Sequence, residues 1–336
     1  MWRYRAWLPL VDGEVPVSLG EGETPLLKLE KTGRRLGLDG LVIKDEASNP
    51  TGSFKARGLS AAVTRAVNQG ASSFVIPTAG NAGVAAAAYC SRAGAPVRVY
   101  APTTTPPAIL AQIVSFGGEL VRLEGHIGDC GAAARAHAAA TGAMDLSTLR
   151  EPYRIEGKKT LGIELAHALD WSLPDVIIYP AGGGTGLIGM WKAFLELAAA
   201  GWISGRFPRM FVVQSSGCAP VVRAFQSGAA SAEPWPDPWT VASGLRVPGP
   251  LGDRLMLTAL RESNGGAVMV SDEDLMREAG KVSAEEGIDM SPEGGATIAA
   301  AIELRRVGAI SAGERVVTFN TGAGWLYRRP GDLLGF

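Results

Sequence analysis

The sequence has few residues of the kinds that build disulfide frameworks and metal sites. Among its 336 residues there are three cysteines and three histidines. The cysteines are Cys90, Cys130 and Cys218, and the histidines are His126, His137 and His167. An odd number of widely spaced cysteines, in no metal or redox pattern, predicts reduced thiols, and no histidine has a partner at ligand-like spacing. The sequence therefore predicts neither a disulfide framework nor a bound metal.

Charge of one sign and long apolar runs are also missing. The chain carries 32 lysines and arginines against 33 aspartates and glutamates, for a formal net charge of −1. Without a run of basic residues, neither nucleic acid nor an anionic membrane is an expected partner. The N-terminus has no apolar segment of the signal-peptide type, and no apolar run approaches transmembrane length. These features predict a soluble, cytoplasmic protein.

Glycine and apolar side chains are abundant, at 44 residues and 46% of the chain. Short β-branched runs alternate with alanine-rich segments, which is typical of parallel sheets with crossover helices. We predict strands at Leu41–Lys44, Phe74–Pro77, Val97–Ala101, Leu120–Leu123, Val176–Pro180, Met210–Gln214 and Val316–Asn320. We predict helices at Ala56–Asn68, Ala82–Ala93, Gly131–Thr141, Thr160–Leu169 and Leu187–Ala199. The fold class is therefore α/β, and the length suggests two domains or one large one.

Three of the predicted strands end in loops of small residues. These loops are Thr78–Gly83, Ala181–Gly186 and Asn320–Gly324. In open α/β sheets, ligands bind just beyond the carboxyl ends of the strands. A single glycine loop also forms for purely steric reasons. Three of them together predict one ligand site built from several strand ends.

A fourth candidate segment is Asn49–Lys55, which joins a predicted strand to a predicted helix. It contains the turn pairs Asn-Pro and Thr-Gly, and Ser53 is a candidate N-cap. Lys55 then lies in the first helical turn, where the helix dipole disfavours a cation and lowers the pKa of an ammonium group. Schiff-base chemistry with pyridoxal phosphate requires such an amine. The alternative is an ordinary exposed lysine.

The loop that follows Val176–Pro180 has two functional interpretations. Gly184–Gly189 matches the dinucleotide-binding fingerprint G-x-G-x-x-G. That fingerprint also needs an acidic residue about twenty positions on, but the next predicted strand ends in Gln214–Ser216, without a carboxylate. Glycine amides at a helix N-terminus equally form a phosphate cradle. We therefore favour a phosphate site, to which Thr185 would add a hydroxyl.

These motifs together resemble the threonine synthase group, pyridoxal-phosphate enzymes of the tryptophan synthase β type (fold type II). The resemblance covers about residues 20 to 326. It lies in Glu21–Leu26, Asn49–Gly58, Gly80–Asn81, Tyr153–Thr160, Gly182–Gly189 and Ser291–Thr297. It implies two open twisted α/β domains with the cofactor in the cleft between them. The larger domain would comprise residues 1–55 and 150–336 and the smaller, inserted domain residues 56–149; a homodimer is also implied.

The resemblance also implies roles for individual residues. Lys55 would bond pyridoxal 5′-phosphate as a Schiff base and then move protons as a general acid and base. The other implied cofactor-binding residues are Phe54, Asn81, Gly182, Gly183, Gly184, Thr185, Gly186 and Thr321. Thr321 would face the pyridine nitrogen and Asn81 the phenolic oxygen. The implied substrate-binding residues are Thr78, Ala79, Gly80, Asn81, Arg154 and Lys158, with Lys159 as an alternative to Lys158.

Two amino-acid substrate classes remain open from the sequence. Arg154 favours O-phospho-L-homoserine, converted with water to L-threonine and phosphate as in threonine synthases. Other phosphate donors expected from that group are not matched, since Ala82 replaces a common threonine and Gly186 an asparagine found in some members. The alternative is β-elimination or β-replacement on serine, threonine or a related amino acid. A non-catalytic module is disfavoured by the retained Lys55, Asn81 and Thr321, and Glu293 is either a substrate contact or a helix cap.

Overall fold

The structure is a computed structural model that describes residues 1–328. Within them, strands β1 to β10 are Leu26–Lys28, Leu41–Asp45, Phe74–Pro77, Val97–Pro102, Glu119–Leu123, Met144–Asp145, Val176–Pro180, Arg209–Ser215, Gly266–Val270 and Val316–Asn320. Helices α1 to α11 are Glu30–Leu36, Lys55–Asn68, Asn81–Arg92, Pro107–Ser115, Ile127–Thr141, Tyr153–Ala168, Thr185–Ala199, Pro220–Gln226, Asp253–Glu262, Asp272–Glu286 and Pro292–Arg306. No helix in this part of the chain is both long and apolar enough to cross a membrane.

The described chain divides into two compact units. Unit 1 comprises Met1–Glu23, Asn49–Thr160 and the described residues from Trp325 onward; unit 2 comprises Thr24–Ser48 and Leu161–Gly324. These bounds differ from those of the predicted domains, since residues 1–23, 49–55, 150–160 and 325–328 fall into the unit that holds the predicted small domain. Apolar packing accounts for the first difference, because Met1 and Leu8 cluster with Ala61 of α2.

Unit 2 is built on a six-stranded sheet in the order β1-β2-β10-β7-β8-β9. Only the edge strand β1 is antiparallel to its neighbour. Every residue of the central strands β7 and β10 is buried, as expected for parallel strands covered on both faces. Their burial explains why β7 appears in the sequence as a nearly continuous apolar run.

Unit 1 contains a parallel four-stranded sheet in the order β5-β4-β3-β6. The helices α2 to α5 belong to this unit, together with the first part of α6. The Lys55 turn and two of the glycine loops follow β2, β7 and β10 of the six-stranded sheet. The third glycine loop follows β3 of the four-stranded sheet. The candidate residues therefore lie at strand ends of both sheets.

The seven predicted strands are confirmed, each with bounds within one residue of the prediction. The five predicted helices also form, but α6 begins at Tyr153 rather than Thr160 and α5 at Ile127 rather than Gly131. The sequence did not indicate the short strands β1 and β6, the strand β9, or the helices α1 and α8 to α11. Helix α11 was not predicted because it is buried almost throughout and therefore lacks the polar face that marks an amphipathic helix in the sequence.

Candidate active site

Lys55 is the first residue of α2, in the first helical turn as predicted. The chain reaches it through a tight turn in which Thr51 and Gly52 both have φ of 67°. Ser53 does not act as the predicted N-cap, because its hydroxyl is buried and has no hydrogen-bond partner among residues 1–328. Its backbone carbonyl alone accepts, from the Ala56 N–H at 3.2 Å. The first turn of α2 therefore has no side-chain cap.

One aromatic ring lies beside two lysine side chains. The Nζ atom of Lys55 is 3.8 Å from the ring centroid of Phe54, and that of Lys158 is 5.5 Å from it. Phe54 is itself buried. An amine over an aromatic face is attracted to it when charged and packs against it when neutral. The ring thus holds Lys55 close to Lys158, a proximity that the sequence does not reveal.

The loop after β3 is shaped by Thr78. Its hydroxyl donates to the Gly80 carbonyl at 2.7 Å and accepts from the N–H groups of Gly80 and Gly83, each at 3.0 Å. The loop leads directly into α3, whose first residue is Asn81. Thr78, Ala79, Gly80 and Asn81 therefore lie together at the N-terminus of a helix, where backbone N–H groups and the helix dipole favour an anion.

The Asn81 side chain is partly engaged. Its amide nitrogen donates to the hydroxyl of Tyr327 at 3.4 Å. Its carbonyl oxygen is buried and has no hydrogen-bond partner among the residues described. An unsatisfied buried amide oxygen is costly, so this side chain has bonding capacity left for a ligand.

Helix α6 carries two deeply buried basic side chains, Arg154 and Lys158. Arg154 donates from Nη1 to the Leu146 carbonyl at 2.6 Å, but its Nε and the Nζ of Lys158 have no hydrogen-bond partner within residues 1–328. Burial lowers the pKa of the Arg154 guanidinium, and burial together with the charges of Arg154 and Lys55 lowers the pKa of Lys158 well below its usual value. Glu151, which accepts from the Arg154 N–H at 3.0 Å, opposes both shifts.

The neighbouring Lys159 is in a different position. It is also buried, but its Nζ lies 2.7 Å from a carboxylate oxygen of Glu156. Of the two lysines that the sequence left as alternatives, the structure leaves Lys158 as the one without a hydrogen-bond partner among the described residues.

In unit 2, the loop between β7 and α7 is a compact backbone cradle. A Cβ atom at Gly182 would lie 2.2 Å from the Gly244 carbonyl oxygen, and one at Gly184 would lie 2.0 Å from the Met256 sulfur. Gly184 also has φ of 71°, in the left-handed region that favours glycine. Gly182, Gly183, Gly184, Thr185 and Gly186 thus present backbone atoms, and the Thr185 hydroxyl, at the N-terminus of a 15-residue helix. Such a cradle fits a phosphate group.

The end of β10 carries Thr321, which is buried. The preceding residue, Asn320, anchors the strand end. Its side-chain amide donates to Asp45 Oδ1 at 2.9 Å and to the Asp289 carbonyl at 3.0 Å, while its oxygen accepts from the Ser291 N–H at 3.1 Å. The sequence did not indicate Asn320 as a positioning residue.

Glu293, left undecided by the sequence, connects two parts of unit 2. It lies in the first turn of α11, and its Oε1 accepts from the Gly244 N–H at 2.8 Å. Gly244 in turn lies against Gly182 of the cradle. The segment around Gly244 has no regular secondary structure and gave no sequence signal.

The described residues contain no group of three or more histidine, cysteine, aspartate or glutamate side chains placed to hold a metal ion.

A family model described as pyridoxal-phosphate dependent enzyme matches residues 17–322. The threonine synthase of Methanosarcina acetivorans is 35% identical over 323 residues, which cover 96% of this chain and 79% of that protein. The threonine synthase of Mycobacterium tuberculosis is 34% identical over 322 residues, 96% of this chain and 86% of that protein.

Among solved structures, maize serine racemase superposes with a TM-score of 0.79 at 21% identity, over 94% of this chain and 91% of that one. The processed form of threonine deaminase isoform 2 from Solanum lycopersicum gives a TM-score of 0.77 at 22% identity, over 94% and 86%. At these identities the likeness concerns the fold. The family model and the threonine synthase relatives each match nearly the whole sequence, so the chain is a threonine synthase-like member of the pyridoxal-phosphate dependent enzyme family, with the type II fold and pyridoxal 5′-phosphate as its cofactor.

Proposed function

We propose that the protein converts O-phospho-L-homoserine and water to L-threonine and phosphate. Its threonine synthase relatives support this proposal. The observation that carries it is the buried pair Arg154 and Lys158, each with a side-chain nitrogen that has no hydrogen-bond partner within residues 1–328.

The energetics favour a phosphorylated substrate over serine or threonine. A buried cation without a hydrogen-bonded counter-ion is unfavourable by several kcal/mol. A dianionic phosphoryl group supplies both the charge and the acceptor oxygens that these nitrogens lack, and Arg–phosphate hydrogen bonds are among the stronger ones in proteins. A neutral hydroxyl leaving group offers one acceptor oxygen but no negative charge, so the Arg154 guanidinium would remain without a counter-charge.

The residues present fit the cofactor. Lys55 would hold it covalently through Nζ, with Phe54 packed beside it and Asn81 bound to its phenolic oxygen. Gly182, Gly183, Gly184, Thr185 and Gly186 would hold its phosphate, and the Thr321 hydroxyl would meet its pyridine nitrogen. When bound, pyridoxal phosphate withdraws electrons from the substrate and makes its Cα–H bond acidic.

The chain's own groups would then bind the substrate and move protons. Thr78, Ala79, Gly80 and Asn81, at the α3 N-terminus, would bind the substrate carboxylate. Arg154 and Lys158 would bind the phosphoryl group and stabilise it as it leaves. Lys55 Nζ would act as general base and acid: it would remove the Cα proton and a Cβ proton as phosphate leaves Cγ, give a proton to Cγ, and return one to Cα after water has added its hydroxyl at Cβ. Thr78 also keeps the loop Thr78–Asn81 in shape through its three hydrogen bonds.

The assembly and location of the protein are also proposals. We propose a cytoplasmic homodimer in which residues 56–149 form the body of the smaller domain.

The test is phosphate release from O-phospho-L-homoserine by the purified, cofactor-loaded protein, with threonine measured in parallel. We expect equal amounts of both products. Lys55→Ala should lose turnover and the visible absorbance of the Schiff base. Arg154→Gln should keep that absorbance but lose turnover by about 100-fold or more, as for loss of one buried charged contact.

Arg98→Gln is the matched control, because Arg98 is a partly exposed arginine of unit 1 that pairs with Glu119; it should leave the rate unchanged. Full absorbance without phosphate release, combined with turnover of serine or threonine, would overturn the proposal in favour of β-elimination or β-replacement.

A further inference from the structure

The surroundings of Lys158 stabilise an ammonium group poorly. Its side chain is 0% exposed, and none of the three hydrogens of an ammonium would find an acceptor among residues 1–328. The Nζ atom lies against α2, where Gly58 makes room for it. A Cβ atom at position 58 would be 2.8 Å from this nitrogen. The buried amine is thus accommodated sterically but not electrostatically.

The charges that act on Lys158 are mostly of its own sign. Arg154 lies on α6 itself and disfavours a further positive charge, and Lys55 on α2 does the same while its amine is an ammonium. The one carboxylate that acts on it is Glu151, which precedes α6 and already accepts from the N–H groups of Tyr153 and Arg154. Burial, the largest cause, and the charge of Arg154 outweigh one engaged carboxylate, which agrees with the strongly lowered pKa of this lysine.

We propose that Lys158 couples substrate binding to proton uptake: it is a neutral amine while no anion is bound, and it takes up one proton from solvent when a dianionic oxyanion binds beside Arg154. This inference rests on the proposed function and adds the protonation step to it. No covalent bond to Lys158 forms. The proton comes from water or buffer, and the resulting ammonium donates to the oxyanion. When phosphate leaves, the proton returns to solvent.

Such a lysine discriminates among substrates by charge. Arg154 is cationic whatever is bound, because a guanidinium does not deprotonate in proteins. Lys158 becomes cationic only if the ligand brings negative charge to it. A neutral amino acid therefore meets a site with one buried charge fewer, and a phosphorylated one creates its own second contact.

The experiment is calorimetric titration of the cofactor-loaded protein with sulfate at pH 8, in buffers of different ionisation enthalpy. Sulfate is the probe because it stays a dianion and brings no proton of its own. We expect uptake of about one proton per bound sulfate, since one group changes charge. Accordingly, sulfate affinity should fall about tenfold per pH unit where Lys158 titrates on binding.

Lys158→Gln should bind sulfate more weakly, through Arg154, with no proton uptake and a flat pH dependence. The matched control is Lys159→Gln, because Lys159 is a buried lysine already paired with Glu156; it should keep the wild-type uptake. Folding is checked by circular dichroism and by the Schiff-base absorbance, and Lys158→Met serves if the glutamine variant does not fold.

Sulfate binding without proton uptake, or the same uptake in Lys158→Gln as in the wild type, would overturn the inference while leaving the proposed function intact. Turnover of O-phospho-L-homoserine by a protein that does not bind sulfate would also overturn it. Absence of both sulfate binding and phosphate release would instead refute the proposed function, and the inference with it.

Discussion

A Cβ atom on Gly186 would lie 1.9 Å from the phenolic oxygen of Tyr179. Tyr179 cannot easily give way, because it is 1% exposed and its ring packs edge-on against Phe319, with 5.1 Å between centroids. This contact gives a physical reason for glycine at a position where some threonine synthases have asparagine. In this chain the tyrosine occupies the space that a side chain at 186 would need.

We therefore expect Gly186→Ala to distort the phosphate cradle. The overpacked contact should lower the free energy of unfolding by about 1–3 kcal/mol, and the cofactor should dissociate more readily. Urea titration and the visible absorbance after dialysis measure the two effects.

Gly280→Ala is the control for that substitution. Gly280 lies in α10, is exposed, and has open space where the Cβ would be placed. Alanine in an exposed helix interior should raise stability by up to ~1 kcal/mol. Equal effects of the two substitutions would show that the cradle tolerates a side chain.

Glu21 should make the stability of unit 1 depend on pH. Burial alone raises the pKa of this carboxyl, but hydrogen bonds from Tyr89 at 2.6 Å, Ser60 at 2.7 Å and the Leu19 N–H at 2.9 Å outweigh burial and hold it below the usual value. A lowered folded-state pKa contributes stability above the unfolded-state value, near pH 4.3. That stability is lost as pH falls through the folded-state value.

Glu21→Gln should therefore lower the free energy of unfolding at pH 7 and flatten its decline between about pH 5 and pH 3. Thermal unfolding followed across this range measures both changes. The exposed Glu273→Gln variant should retain the wild-type acid decline, and an unchanged decline in Glu21→Gln would contradict this assignment.

The three cysteines should be unreactive in the folded protein. Cys90, Cys130 and Cys218 are buried and form no disulfide. Burial raises the pKa of Cys130 and Cys218 to about 11 and that of Cys90 further, so little thiolate is present at pH 8. A chromogenic disulfide reagent should label none of them in the native protein and all three in denaturant. Rapid native labelling of any one would show that its surroundings open readily.

Asn320 should support both stability and cofactor binding. Asn320→Ala removes the donors to Asp45 and to the Asp289 carbonyl and the acceptor for the Ser291 N–H. A buried partner left unsatisfied costs about 1–3 kcal/mol; Ser291 is buried, and Asp45 and Asp289 are half-buried. We expect a loss of at least ~2 kcal/mol, with weaker cofactor retention because Thr321 follows directly.

Asn68→Ala is the corresponding control. Its side chain is exposed and donates to the Thr64 carbonyl within α2, so its loss should change stability by less than ~0.5 kcal/mol. If Asn320→Ala were equally mild, the strand end would be held by other contacts.

The local parts of the candidate site were determined by the sequence itself. Strand β7, the glycine loop and α7 occur in that order because a buried β-branched run, glycines with unusual backbone angles and an apolar helix follow one another directly. The position of Lys55 at the start of α2 is local in the same sense. Each of these features depends on residues only a few positions apart, which is why their pattern is visible without a structure.

Contacts between segments far apart in the sequence were decided by the tertiary structure alone. The motif Tyr153–Thr160 contains two adjacent lysines. Only the packing of α6 leaves Lys158 without a hydrogen-bond partner in residues 1–328, while Lys159 forms an ion pair with Glu156. Likewise, Gly244 meets both Glu293 and Gly182 from a segment without regular secondary structure. Sequence patterns report the environment averaged along one helix or strand. Which nitrogen remains unsatisfied depends on close packing among segments far apart in the chain, where displacements of about 1 Å decide whether a hydrogen bond forms.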